Sequence, residues 1–372
     1  MTITDPTTSH AAVSDAAIEE FADKLFGDLL GTLSVYACAM GIDLGWYAAL
    51  AGAESMTSLK LASATSTDER YAREWLEQQT VAGYLTVVDA AADPTDRRYR
   101  LSPAAAEVLT NRDSLAYMAP FAGLVTSLGS NLAHLVEVYR TGDGFGWDQH
   151  GDPARCGQAE ANRPMFLNLL AHNYLASIDD IHAVLSDGGR VADIGCGLGW
   201  SSIGVAQAYP NAIVDGYDID APSIRMAEAN AAEAGVADRV TFRHRDVAEG
   251  GIDVESGNYD LALALECIHD MPDPVSVLAA MRTMVTPGGT VIVMDERVGD
   301  VFTGAGDAVE QLLYGFSLIC CLPDGRNAPQ SVATGTIMRR PIFEAYAEKA
   351  GFSSVEVLPI ENDFFRFYRL NP

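Results

Sequence analysis

Apolar residues recur at helical spacing across residues 16–51 (Phe21, Leu25, Leu29, Leu33, Tyr36, Met40), with Gly31 and Gly41 expected to break this stretch into separate helices. Residues 57–64 read as a short helix. Ser66, with Glu69 three positions on, forms a capping box that opens a longer helix ending near Ala82, before Gly83. Residues 84–88 then alternate as a strand, AADPTDR is a polar loop, and residues 98–101 return as the partner strand. Two helices meeting at a turn and followed by a hairpin make a winged helix. Between 114 and 185 the spacing is again mainly helical. It is interrupted by the Gly-rich TGDGFGWDQHGDPARCG, which is too long for an idle connection and reads as a candidate lid. Residues 1–14 are polar and aperiodic, a frayed tail by expectation.

Past residue 186 the texture changes. Strand patterns at 191–194, 212–217, 240–243, 261–265 and 290–294 alternate with helical stretches, the pattern of a doubly wound α/β domain. The expected organisation is a tail (1–14), a mainly helical winged-helix and dimerisation domain (15–115), a helical linker and lid (116–185) and a ligand-binding α/β domain (186–372).

Composition narrows what such a chain can bind. It has 24 Lys and Arg against 51 Asp and Glu, a formal charge of −27, so most of its surface repels phosphate backbones and anionic bilayers. Residues 1–117 hold 8 basic against 17 acidic side chains, and the would-be recognition helix, TDERYAREWLEQQ, is acidic too. The wing is therefore expected to mediate dimerisation rather than DNA binding. No signal-peptide pattern opens MTITDPTTSH, and a cytoplasmic protein with no membrane or nucleic acid partner is expected. The six cysteines (Cys38, Cys156, Cys196, Cys267, Cys320, Cys321) form no CxxC pair and read as reduced thiols. Adjacent Cys320 and Cys321 would need a third ligand to hold a soft metal, which the sequence does not supply, so no metal is expected.

The candidate chemistry starts at RVADIGCGLGW. A strand running into GCGLG and then a helix is a nucleotide-type turn, where Gly195 and Gly197 allow close ligand approach. Glycines alone would admit a dinucleotide. Asp193, just before the turn, would oppose a pyrophosphate but suits the ammonium and sulfonium of S-adenosylmethionine. Asp218, ending the second strand in GYDID, can accept both ribose hydroxyls, with Ile219 beside it, while Asp220 caps the helix that follows. Asp246, ending the third strand in RDV, can receive the adenine amino group, and Val247 can offer its backbone N–H to the purine. Three acids at three successive strand ends specify the ligand more sharply than the glycines do.

These segments, together with ALECIHDMPDP, ATGTIMRRPIFEAYAEKAGF and VEVLPIENDFFRFYRL, resemble class I S-adenosylmethionine-dependent methyltransferases of the actinobacterial type with an N-terminal winged-helix domain. The likeness runs nearly end to end. It implies a Rossmann-like seven-stranded sheet closed by antiparallel strands at 355–358 and 364–370, Trp200 among the cofactor contacts, and a homodimer built through the N-terminal domains.

The acceptor side is less determined. The segment ECIHDMPDP puts Glu266, Cys267, His269 and Asp270 at the carboxyl end of the fourth strand, where Glu266 suits the methionine ammonium and His269 has the pKa of a general base. By resemblance, the small-molecule O-methyltransferases use the His of a similar HDW segment as base. Of the two acids that orient it there, one corresponds to Asp295 and the other falls near Ile342, which cannot serve. Acceptor contacts are expected from Trp147, Phe166, His172, Tyr314 and Phe316, with His150, Tyr174 and Leu322 near them and Arg163 or Arg340 for an anionic group. The reading is methyl transfer to a small apolar or aromatic acceptor, with oxygen favoured over nitrogen or carbon. The alternatives are a regulator that senses S-adenosylmethionine and binds DNA through the wing, or a non-methylating enzyme that kept the pocket.

Overall fold

The structure, a computed structural model, describes residues 13–249, 257–304 and 306–371. The expected N-terminal tail thus lies almost wholly outside the described residues. The chain divides into two compact units, one ending at Thr110 and the other starting at Asn111.

The first unit holds α1 (Asp15–Asp43), α2 (Trp46–Ala51), α3 (Ser58–Thr65), α4 (Glu69–Val81), β1 (Leu85–Val87), β2 (Tyr99–Leu101) and α5 (Pro103–Thr110). Helices α3 and α4 followed by the antiparallel β1–β2 hairpin give the expected winged helix. Two local readings change. The N-cap of α4 is Asp68, whose Oδ1 accepts from the backbone nitrogens of Arg70 (2.9 Å) and Tyr71 (3.2 Å), whereas Ser66 ends α3 in a left-handed conformation. Nor do the glycines break α1, which runs unbroken through Gly31 and Gly41. A Cβ at Gly41 would lie 2.3 Å from Cζ2 of Trp75, so this glycine serves close packing rather than chain breaking. Most of α1 is unburied: Phe21, Leu25, Leu29 and Leu33 are each half or more exposed. By length and composition α1 is also apolar enough to cross a membrane.

The second unit opens with α6 (Ala119–Gly129), α7 (Leu132–Thr141), α8 (Trp147–His150) and α9 (Asp152–Met165), which runs on through a wide π-type turn, Phe166–Tyr174. The expected lid is therefore largely helical. Only residues 142–146 and Gly151 lie outside α7, α8 and α9, because Gly146 and Gly151 serve as helix boundaries. There follow α10 (Asp179–Ser186), β3 (Arg190–Ile194), α11 (Trp200–Ala208), β4 (Ile213–Asp218), α12 (Ala221–Glu233), β5 (Val240–His244), β6 (Tyr259–Leu265), α13 (Pro274–Met284), β7 (Val285–Glu296), α14 (Ala308–Phe316), α15 (Leu322–Gly325), α16 (Arg340–Lys349), β8 (Ser354–Val357) and β9 (Phe365–Asn371).

The seven strands are ordered β5-β4-β3-β6-β7-β9-β8, with β9 antiparallel to both its neighbours, as the resemblance implied. Successive residues of the central strands face opposite layers: Val191, Leu261 and Leu263 pack on one side, and Ala192, Ala262 and Ala264 on the other. Helices cover both faces, which is why these strands read as continuous apolar runs. The chain winds outward from β3 through β4 to β5, then crosses to β6. The reversal leaves a crevice at the carboxyl ends of β3 and β6, the place where doubly wound sheets take their ligands.

Candidate active site

The turn after β3 is built by three glycines with positive φ: Gly195 (69°), Gly197 (50°) and Gly199 (80°). A Cβ on Gly195 would meet Cys267 Sγ at 2.8 Å, and one on Gly199 would meet Phe242 Cζ at 2.4 Å. Beyond Gly197 there is nothing within 4 Å, so this is the face that a ligand can approach. The Gly197 N–H donates to Asp218 Oδ2 (2.8 Å) and the Asp220 N–H to Asp218 Oδ1 (2.8 Å). Each oxygen keeps a lone pair for a further donor, which fits a pair of ribose hydroxyls. Burial raises the Asp218 pKa. Ile219 beside it is 65% exposed. Asp246 is exposed and accepts from the Ala248 N–H (2.8 Å), with Val247 buried next to it.

Asp193 sits differently from the expectation. It is 1% exposed, and its Oδ2 accepts from the hydroxyls of Ser201 and Ser202, both at 2.6 Å. It therefore pins the first turn of α11 from beneath. Burial lifts its pKa to about 6 despite the two serines. Trp200, expected among the cofactor contacts, is 8% exposed. Its ring lies under the guanidinium groups of Arg163 (4.9 Å) and Arg112 (5.5 Å) and belongs to the core.

Residue Glu266 takes a left-handed backbone (φ 58°), which costs a non-glycine residue on the order of 1–3 kcal/mol. Its carboxylate is held by Gln158 Nε2 (3.1 Å) and Asn162 Nδ2 (2.5 Å), both on α9. Burial raises its pKa to about 7, against those two amides and His269. Arg155, on the same face of α9, grips Asp220 through Nε (2.6 Å) and Nη2 (3.0 Å). Helix α9 thus bridges the ends of β4 and β6 and roofs the crevice. Arg155, Gln158 and Asn162 were not singled out from the sequence, although their i, i+3, i+7 spacing puts them on one helical face.

The structure brings His269 and Asp295 together: Nδ1 lies 2.7 Å from Asp295 Oδ1 and 2.8 Å from Glu296 Oε2, with Nε2 3.0 Å from Asp270 Oδ1. Asp270, placed beside His269 by the same segment, and Glu296, which the sequence reading passed over, so join Asp295, while Ile342 stands 40% exposed on α16. Burial alone would discharge His269, but Asp270, Glu296 and Asp295 outweigh it and hold the imidazole well above its ordinary pKa. At 2% exposure, with Nδ1 bonded to Asp295 and Nε2 3.0 Å from Asp270 Oδ1, the ring stands enclosed by carboxylates. Burial would raise Asp295, but His269's charge brings it below its ordinary pKa, while burial and the Asp295 charge push Glu296 well above the usual carboxylate range. Cys321 offers a thiol within 4.8 Å of His269 and Asp270, the third-ligand arrangement the sequence could not supply. His269 Nδ1 is already hydrogen-bonded to Asp295 Oδ1 at 2.7 Å.

Of the expected acceptor contacts, Trp147 and Phe316 converge on one apolar cluster with Leu124, Leu128, Cys320 and Cys321. The others do not join them. Phe166 is core, its carbonyl 2.3 Å from where a Cβ on Gly204 would be. His172 is exposed. Tyr314 lines a separate surface hollow of about 220 Å³ with Phe302 and Glu310, and its hydroxyl accepts from Arg339 (3.3 Å). Arg163 and Arg340 are engaged by Asp113 and Asp300, so neither is poised for an anion.

Comparison with known proteins agrees with this geometry. Residues 185–319 match the model of a methyltransferase domain, and residues 32–111 that of an Rv2258c-like winged helix-turn-helix domain. Over 105 residues the chain is 37% identical to a ubiquinone biosynthesis O-methyltransferase of Ralstonia nicotianae, covering 28% of this chain and 42% of that one. Over 111 residues it is 34% identical to the 27-O-demethylrifamycin SV methyltransferase of Amycolatopsis mediterranei, covering 30% and 40%. The chain therefore spans about two-fifths of the length of these curated relatives. The fold as a whole is similar to human N-acetylserotonin methyltransferase, solved with S-adenosylmethionine, at a TM-score of 0.68 and 17% identity over 97% of this chain and 99% of that one.

Proposed function

We propose that this chain, in which a methyltransferase domain of the class I S-adenosylmethionine fold follows an Rv2258c-like winged helix-turn-helix domain, moves a methyl group from S-adenosylmethionine to a small, largely apolar or aromatic acceptor. The observation that carries this reading is the crevice over β3 and β6. There an open face at Gly197, the Asp218 carboxylate and the amide-held Glu266 line up for a nucleoside with a cationic tail. When bound, S-adenosylmethionine supplies an electrophilic methyl group on a positively charged sulfur. Asp218 takes the ribose, Asp246 and Val247 take the purine with Ile219 along its edge, and Glu266 faces the ammonium, with the buried Asp193 adding to the negative field. His269, packed between Asp270, Asp295 and Glu296, ties the ends of β6 and β7 together at the acceptor edge. Helix α9 excludes water, and the chemistry rests on alignment in a dry site.

Oxygen leads as the acceptor atom. The names of the two curated relatives support it, and the rifamycin relative supports a place in secondary metabolism. The exposed apolar face of α1 supports a homodimer through the N-terminal unit, since such a face on a protein carrying net charge −27 fits a second copy better than an anionic bilayer. A cytoplasmic location goes with this reading. The test is calorimetry with S-adenosylmethionine followed by a screen of phenolic acceptors for S-adenosylhomocysteine release. The regulator alternative predicts a sequence-dependent electrophoretic shift at low salt, which the acidic winged helix argues against.

A further inference from the structure

His269 is 2% exposed, with Nδ1 on Asp295 and Nε2 3.0 Å from Asp270 Oδ1, so neither of its ring nitrogens is open to an acceptor's proton. We propose that His150, the last residue of α8, takes that proton from a phenolic acceptor hydroxyl, an assignment that rests on the methyl-transfer reading above. His150 is 5% exposed, and neither of its ring nitrogens has a hydrogen-bond partner. Leaving a buried polar atom unpaired costs about 1–3 kcal/mol, a cost that a bound hydroxyl would relieve. The walls are aromatic: Phe145 stands edge-on at 4.6 Å between centroids and Trp147 at 5.8 Å.

Its placement is fixed from three sides. The Trp147 N–H donates to Asp324 Oδ1 (3.0 Å), the Phe145 N–H to the Pro323 carbonyl (2.9 Å), and Arg155 Nη2 to the Trp147 carbonyl (3.3 Å). Pro323 and Asp324 belong to α15, which lies against the turn carrying His269 and Asp270: a Cβ on Gly325 would sit 3.1 Å from the Asp270 carbonyl. Arg155 ties the other side of α8 to Asp220, next to the Asp218 clamp. His150 is therefore anchored to both rims of the crevice, beside Trp147, which packs in one apolar cluster with Phe316.

The charged groups that act on it are Asp148 on its own helix, Arg155 on α9 and Asp270 after β6. Burial draws its pKa down to about 4, Arg155 adds to the fall, and the two carboxylates oppose it. The ring is neutral at pH 7, with a lone pair free. In the step itself the acceptor O–H bond breaks and its proton passes to a ring nitrogen of His150. The oxygen forms its new bond to the methyl carbon, and the electrons of the broken C–S bond stay on sulfur. One positive charge leaves the sulfur and one arrives on the ring, within the field of Asp270.

The test compares His150→Asn and His269→Asn with the wild-type chain on two acceptors: 1-naphthol, which carries its proton at neutral pH, and 4-nitrophenol, which ionises near neutrality. With S-adenosylmethionine affinity unchanged by calorimetry, His150→Asn should slow single-turnover methylation of naphthol about 10²–10³-fold and of nitrophenol less than tenfold. His150→Gln replaces the Asn variant if circular dichroism shows the latter unfolded. Equal slowing on both phenols, no slowing, or the selective loss appearing in His269→Asn instead would each overturn the assignment. So would S-adenosylmethionine binding by a wild-type chain that methylates neither phenol. Failure to bind S-adenosylmethionine would instead overturn the methyltransferase reading itself.

Discussion

Arg155 and Asp220 form a two-pronged ion pair, Nε to Oδ2 at 2.6 Å and Nη2 to Oδ1 at 3.0 Å, with side chains only 5% and 11% exposed. It is the tie between the roofing helix α9 and the end of β4. Removing one partner of a buried pair leaves the other charge uncompensated, so Arg155→Ala should destabilise the fold by about 3 kcal/mol. The same variant should weaken S-adenosylmethionine at least tenfold, because Gln158 and Asn162 lose their anchor over Glu266. Denaturant melts and calorimetry read the two effects separately.

Asp218 predicts a loss of binding without loss of fold. Hydrogen bonds to a charged acceptor contribute about 1.5–3 kcal/mol, so Asp218→Ala should raise the Kd for S-adenosylmethionine about 10- to 100-fold. The variant should keep its circular dichroism spectrum. A Kd within threefold of wild type would remove Asp218 from the ribose site.

A pH dependence follows from Glu266, whose pKa burial raises from 4.5 to about 7. Because the folded chain holds this proton more tightly than the unfolded chain, the native state binds more protons between those values. Stability should therefore fall as pH rises from about 4.5 to 7, and Asp193, raised to about 6, contributes in the same direction. A cationic ligand favours ionised Glu266. Affinity for S-adenosylmethionine should thus rise from pH 5.5 to 8, with proton release on binding near pH 6.5, seen as a buffer-dependent calorimetric heat. Glu266→Gln should bind more weakly and lose most of this dependence.

The N-terminal helix predicts assembly. Phe21, Leu25, Leu29 and Leu33 stand one helical turn apart along α1 and are all exposed in the single chain. Light scattering should give a dimer mass, and Leu29→Asp with Leu33→Asp should give a monomer or soluble aggregates. A wild-type monomer at micromolar concentration would end the dimer proposal.

Much of this could be read along the chain. The strand patterns located five strands of the large sheet and the resemblance its closing pair, and turn chemistry placed Gly195, Gly197 and Asp218 where the structure puts them. Local reading failed where packing overrides propensity. Gly31 and Gly41 stayed inside a helix, and Trp147–His150 of the Gly-rich stretch became α8.

What the sequence determined is what neighbours in the chain determine: secondary structure, the glycine turn and the acids at successive strand ends. What only the tertiary structure decided is the state of those groups. Whether Asp193 is open or taken by Ser201 and Ser202, and whether His269 is drawn toward its charged form by Asp270, Asp295 and Glu296, depends on burial and on distant charges. So do the hold of Gln158 and Asn162 on Glu266 across about a hundred residues and the unpaired burial of His150. Proton affinity is set by the local dielectric and by charges a few ångströms away, and those neighbours come together only when the chain folds.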